Sequence, residues 1–446
     1  MNGDPARHRI SRGSPAEEPR GFMSGGSDFD DFEPEPVPCG DVEEPDRPDG
    51  PEPGPGQDGR PDFRDMDPRD LRWSWLEIDT KALVHNVREF KHRIGPRPML
   101  LATVKADAYG HGAVECARIA LSAGATWLGV ATVEEGIELR EAGMEDPILL
   151  LSQPPETAIP ALLAYRITPS VYTVEFALAL GETAAANGMV ADYHLAVNTG
   201  MNRIGVWFSE VPQFVSAISF HKGLNMQGVF THFATADAHE DYAFKLQLKR
   251  FREAVACIND AGVHPKIVHC ANSAAGIRYK SSYFDMVRLG ISMYGLHPSN
   301  VTYGMIDLRP VMSVHARVTA VNKVPVGEGV SYGLNYRSPG GVKIATIPIG
   351  YADGYSRQLS GRTSVLFKGK LLPQVGNICM DQCMFEVDSR STLLTKAVDV
   401  EIGDEVLVVG RQGDLSLTLD DMADQLGTIN YELACRFGMR MPRIYV

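Results

Sequence analysis

From Trp75 onward, short apolar runs alternate with longer stretches that are apolar on one face only. The runs Leu76 to Ile78, Met99 to Val104, Trp127 to Thr132, Ile148 to Leu151, Thr168 to Val171, Tyr193 to Val197, Met226 to Thr231, Ile267 to Cys270 and Met286 to Val287 predict strands. The stretches between them read as helices. Leu83, Val87, Phe90 and Ile94, for example, are spaced four, three and four apart and fall on one face of a 3.6-residue period. Repeated β-then-α units over about 220 residues require a parallel sheet, and eight or so of them predict an α/β fold of the (β/α)8 TIM-like barrel type. A doubly wound sheet is the second choice.

Past Val311 the period changes. Val314 to Val321 alternates residue by residue, glycine-rich turns recur near Gly327, Gly340 and Gly369, and few helical stretches appear before Leu419 to Leu426. This predicts a second, mainly β domain. The expected organisation is an acidic, Pro/Gly-rich disordered tail over residues 1–72, a barrel over 73–310 and a β-rich C-terminal domain over 311–446.

Charge sharpens the tail. The chain carries a formal net charge of −13, and residues 1–70 hold 19 acidic and 8 basic side chains, so −11 of that charge lies there and the body is close to neutral. The same 70 residues contain 13 of the 29 prolines and 10 of the 43 glycines, too little apolar surface to fold. A net negative chain disfavours nucleic acid as a partner. No apolar run approaches the roughly 18–20 residues of a membrane helix, and the first residues lack a signal-peptide core, so a cytoplasmic protein is expected. Seven cysteines without a C-x-x-C pair indicate neither a disulfide framework nor a zinc site, and no metal is expected.

The candidate chemistry follows the strands. Lys105 ends the Met99 run and opens the segment Ala106 to Gly112; Asn198 to Arg203 follows the Tyr193 run; His232 follows Thr231; Asn272-Ser273 follows Cys270; Arg288 to Ile291 follows Val287. Taken singly, each is ordinary. A strand-end lysine is usually a solvated rim residue, a lone histidine a satisfied interior group, an arginine a surface ion-pair partner and a serine after asparagine a helix cap. In a (β/α)8 barrel, however, strand C-termini converge on one mouth. One lysine, two arginines, one histidine and glycine-opened backbone there suit a phosphorylated cofactor and a carboxylate substrate, joined most simply by a Schiff-base lysine.

Val104-Lys105-Ala106-Asp107-Ala108-Tyr109-Gly110-His111-Gly112 resembles the pyridoxal-phosphate lysine motif of the alanine racemase family, a fold-type III family. Gly200 to Gly205, Thr231 to Ala234, Ala271 to Ser273, Arg288 to Gly295, Gly350 to Tyr355, Ile378 to Asp381 and Ile429 to Glu432 resemble further family motifs in the family's order. The resemblance spans about residues 73–446. It implies a pyridoxal 5'-phosphate enzyme interconverting L-alanine and D-alanine, supplying D-alanine for peptidoglycan. Lys105 would carry the cofactor as an imine and serve as one base, and Tyr351 as the other. Tyr109, Ser273, Gly290, Ile291 and Tyr431 would hold the phosphate, with Asn272 beside them. Arg288 would face the pyridine nitrogen, and His232 would link it towards Tyr351. Arg203 and the Met380 backbone N–H would hold the substrate carboxylate, with Tyr332 and Asp381 at the entrance. Family members are homodimers in which Tyr351 comes from the partner chain.

Two positions depart from the family pattern. Asn198 stands where many members have aspartate, and Ala196 where many have a lysine, often carbamylated. Both remove negative charge near Arg203, so a bound anion or the Asn198 amide is expected to orient it. A methyl-sized pocket rejects an added hydroxyl weakly, which keeps a broader alanine/serine racemase open. A basic amino-acid decarboxylase of the same architecture is disfavoured, since those enzymes use a carboxylate where Arg288 stands. A non-catalytic pyridoxal-phosphate carrier is disfavoured by the second domain.

Overall fold

The computed structural model describes residues 66–387, 399–438 and 440–446. Most of the segment expected to be a disordered tail lies outside the described residues. Its end does not fit that expectation: Pro68–Leu71 is a helical turn, because the Asp67 carboxylate accepts the Arg69 backbone N–H at 2.9 Å and proline suits the first position.

The described residues belong to one compact unit. Eight of the nine apolar runs become the barrel: Met99–Thr103, Trp127–Val130, Ile148–Leu150, Ile167–Val171, Ala191–Asn198, Leu224–Phe230, Ile267–His269 and Met286–Leu289. All neighbours in this sheet are parallel, the last strand pairs with the first, and Ile167–Val171 pairs with Ala191–Asn198, which closes the ring. Between them run helices such as Thr80–Ile94, capped by Asp79 at one end and by Gly95 at φ 83° at the other. That helix turns Leu83, Val87, Phe90 and Ile94 into the core.

The ninth run, Ser74–Ile78, is a strand but not a barrel strand. It lies in the C-terminal domain's sheet, antiparallel to Met312–Arg317 and parallel to Arg443–Tyr445. A closed ring of eight has no edge left to accept it. The sheet it joins has ten strands, and Leu419–Leu426 and Asn430–Arg436 are helices near the C-terminus. The first and last described strands are thus neighbours, and this places the chain's end beside the barrel mouth. The Tyr445 hydroxyl donates to the His111 carbonyl at 3.1 Å, and Arg443 Nε donates to the Gly110 carbonyl at 2.9 Å.

Trp75 carries this strand's packing. It is 1% exposed, stacks on His315 at 5.4 Å between ring centroids and lies under the Arg317 guanidinium. Trp75→Ala is expected to destabilise the protein by about 3–5 kcal/mol, read from the urea midpoint; a shift below about 1 kcal/mol contradicts this account of the strand.

Candidate active site

A cavity of about 490 Å³ opens at the C-terminal ends of the barrel strands, where this fold gathers its chemistry. Lys105, Tyr109, Arg203, His232, Asn272, Ser273, Arg288, Gly290, Ile291 and Tyr431 all line it. Tyr351, Met380, Tyr332 and Asp381 do not. They sit on the C-terminal domain, where Tyr351 is 41% and Met380 52% exposed. The structure therefore brings ten of the fourteen candidates together within one chain and sets the other four apart.

Lys105 starts an unusual turn. Ala106, Asp107, Ala108 and Tyr109 all have φ between 51° and 53°, a left-handed conformation that disfavours L-residues by about 1–2 kcal/mol each. Neighbours hold it. Glu135 accepts the Ala106 N–H at 2.7 Å, Asp107 accepts the Ala113 N–H at 2.7 Å, and Arg443 pairs with Asp107. At Gly110 a Cβ would lie 2.4 Å from the Ala434 carbonyl oxygen, so the turn is pressed against the helix that carries Tyr431. Burial, followed by the charge of Arg203, lowers the Lys105 ammonium below its ordinary range. More of the amine is then free to act as a nucleophile or base.

Arg288 is 4% exposed and meets acceptors on every side. Nη1 reaches His269 Nδ1 at 2.8 Å, and Nη2 reaches the Thr231 carbonyl at 2.8 Å and His232 Nδ1 at 3.1 Å. Since arginine only donates, both histidines must accept at Nδ1 and carry their proton on Nε2. His269 Nε2 then donates to His194 Nδ1 at 2.9 Å, His194 Nε2 donates to Gln227 Oε1 at 3.2 Å, and Gln227 Nε2 donates to Asp192 at 3.0 Å. A one-way chain of donors thus runs through the barrel to a carboxylate. Burial, then the Arg288 charge, holds His232 and His269 well below the usual histidine range, so both are neutral near pH 7. Burial also pulls Arg288 down to about 10, which leaves it protonated.

Just past the strand that carries Arg288, Gly290 opens a cradle. Its N–H donates to Ser273 Oγ at 2.9 Å, and a Cβ at this position would lie 3.2 Å from the Tyr109 hydroxyl and 3.6 Å from Ser273 Oγ. Burial raises the pKa values of Tyr109 and Tyr431, so both phenols remain neutral donors. Asn272 caps the helix Ser273–Arg278 by accepting the Ala275 N–H at 3.0 Å. The hydroxyl-bearing residues Tyr109, Ser273 and Tyr431 line the same cavity, a donor set whose chemistry suits an anion.

Of the two supports expected for Arg203, a bound anion or the Asn198 amide, the second is otherwise engaged. The Asn198 side-chain oxygen accepts the Gly200 and Asn202 N–H groups, and its amide donates to Asn202 Oδ1 at 3.2 Å, so it ties its own loop together. The residues missed from the sequence are His269, His194, Gln227 and Glu135. Histidines inside otherwise apolar strands were the available signal for the first two.

Residues 78–298 match the family model described as alanine racemase, N-terminal domain, and residues 311–445 match that described as alanine racemase, C-terminal domain. The chain is 44% identical over 373 residues to an alanine racemase of Desulfovibrio desulfuricans, which covers 83% of this chain and 98% of that one. Among solved structures, alanine racemase from Bacillus anthracis with bound L-Ala-P is similar at a TM-score of 0.78 and 38% identity, covering 84% of this chain and 95% of that one. A histidine racemase from Leuconostoc mesenteroides subsp. sake is similar at 0.76 and 31%, covering 84% and 98%.

At Gly290 an added Cβ would take up space in the cradle, 3.2 Å from the Tyr109 hydroxyl. Gly290→Ala is expected to weaken inorganic phosphate binding at least about tenfold, some 1.4 kcal/mol, by calorimetric titration with the fold intact. Unchanged affinity would show that the anion sits elsewhere.

Proposed function

The chain belongs to the alanine racemase family, and from that premise we propose that it is a pyridoxal 5'-phosphate enzyme that interconverts L-alanine and D-alanine. One observation carries the reading: a pKa-lowered lysine, an arginine with its proton locked in place and a glycine-opened hydroxyl cradle share one cavity. The cradle fits a phosphate ester, and Lys105 fits an aldehyde. Pyridoxal phosphate, when bound, supplies the electron sink that makes the α-proton of an attached amino acid removable.

The residues of this chain then divide the work. Tyr109, Ser273, Tyr431 and the Ile291 N–H hold the phosphate in the space that Gly290 leaves open, with Asn272 fixing the Ser273 turn. Lys105 exchanges a proton on one face of the α-carbon, and Tyr351 exchanges one on the other, because inversion needs a group on each face. An ordinary tyrosine holds its proton to about pH 10, so Tyr351 needs cationic help, which Arg288 relays through His232 Nε2–H. Arg203 and the Met380 N–H hold the substrate carboxylate, and Tyr332 and Asp381 line the way in. Since Tyr351 and Met380 lie outside the Lys105 cavity of their own chain, we infer a homodimer in which each chain completes the other's site. Among the described residues no helix is long and apolar enough to cross a membrane. We place the enzyme in the cytoplasm, supplying D-alanine to peptidoglycan.

Alanine is the first substrate, and serine the expected second. The likeness to a histidine racemase supports the view that this fold tolerates different side chains. The test is to incubate the purified protein with single L-amino acids and follow the D-enantiomers. Alanine is expected to racemise fastest, and Lys105→Ala and Tyr351→Phe to lose at least about a thousandfold. Mixing the two variants is expected to restore part of the activity through hybrid dimers with one intact site. No rescue, despite proven subunit exchange, would place each site within a single chain.

A further inference from the structure

A carboxylate with no solvent exposure lies behind the turn that carries Tyr351. Asp353 Oδ2 accepts the Gly350 N–H at 2.9 Å. Its Oδ1 pairs with the Arg72 guanidinium and lies 3.4 Å from Arg440 Nε. Arg440 continues to Asp381 at 2.8 Å, and Arg72 Nη1 donates to the Arg440 carbonyl at 2.6 Å. Four charged side chains thus tie together the segment before the first strand, the Tyr351 turn, the Met380-Asp381 loop and the C-terminal segment. Arg72, Asp353 and Arg440 have no part in the mechanism above.

A buried carboxylate is tolerated only when paired, so Asp353 holds whatever backbone its partners fix. Arg72 is the more enclosed partner, with its side chain 23% exposed against 44% for Arg440, and so the less screened of the two. The turn itself has no slack. Tyr351 N–H donates to the Cys379 carbonyl and Ala352 N–H to the Met380 carbonyl, each at 3.0 Å, and a Cβ at Gly350 would lie 2.3 Å from both carbonyl oxygens. The Tyr351 side chain, at 41% exposure, has little packing of its own in this chain. Its direction follows its backbone, which Asp353 fixes at Gly350 alongside the Cys379 and Met380 carbonyls.

We infer that Arg72, acting through Asp353 and seconded by Arg440, is a positioning residue that aims the Tyr351 phenol and the adjoining Met380-Asp381 loop. This rests on the reading of Tyr351 as one of the two proton-exchanging groups. Arg72 uses separate guanidinium nitrogens for Asp353 and for the Arg440 carbonyl, which a lysine cannot reproduce at once.

The test uses full-length Arg72→Gln, Arg72→Lys and Arg440→Gln proteins loaded with pyridoxal phosphate, with α-deuterated L- and D-alanine as substrates. For Arg72→Gln, kcat is expected to fall roughly tenfold to a hundredfold with KM little changed. The deuterium isotope effect is expected to rise for the enantiomer whose proton Tyr351 removes and not for the other. Arg72→Lys is expected to recover part of the loss. A general structural defect would move both enantiomers alike. A folded Arg72→Gln protein with kcat within about twofold of wild type, or with both isotope effects unchanged, overturns the proposal. Should Arg72→Gln fail to fold, Arg440→Gln decides by the same pair of isotope effects. A Tyr351→Phe protein that still turns over removes the basis in Tyr351 itself, whereas an inactive Tyr351→Phe beside an unaffected Arg72→Gln removes the positioning role alone.

Discussion

The site is organised around a permanent cation sealed inside a barrel. Arg288 donates and never accepts, so each group it touches is forced into one protonation pattern. His232 and His269 must offer Nδ1, His194 must follow, and the chain of donors ends on Asp192. Buried polar groups inside a barrel are costly unless every partner is supplied, and here each is supplied in a fixed direction. The histidines' depressed pKa values follow from the same burial and the same charge. A neutral His232 with its proton on Nε2 can polarise a neighbouring phenol without taking up a proton itself.

The second organising feature is division of labour between domains. The barrel mouth carries Lys105 and the Gly290 cradle, while the C-terminal domain carries Tyr351 outside the lining of its own chain's cavity. The C-terminal strand Arg443–Tyr445 joins the two within a chain, through Arg443 and Tyr445 against the Lys105 turn. The strained left-handed turn after Lys105 persists because Glu135 and this strand brace it from two sides. Strain of this kind keeps the amine at one place and angle.

Much of this was legible in the sequence, for reasons particular residues make plain. Eight strands were readable because each is a short apolar run set between stretches that are apolar on one face only. Ser74–Ile78 read correctly as a strand but not to its sheet, since periodicity reports burial and not partners. The shared location of Lys105, Arg288 and His232 was legible from strand-end position, and the roles proposed for them rest on ordered motifs. The Arg288–His269–His194 chain was not, because an inward histidine in a strand looks like any satisfied interior group. Arg72 and Asp353, 281 residues apart, carry no local signal at all. Asn198 misled because its neutral amide stands where a partner for Arg203 was sought, while its side chain is spent on its own loop.

Because Arg288 keeps its proton, we propose that it would leave the electron sink of the pyridoxal phosphate it faces weak, which favours return of the α-proton over other fates. Replacing it with an acid, as Arg288→Glu, and following pyruvate formed from alanine beside D-alanine tests this directly. The account predicts slower racemisation together with a clear gain in pyruvate per turnover. Slower racemisation with no gain in pyruvate would contradict it.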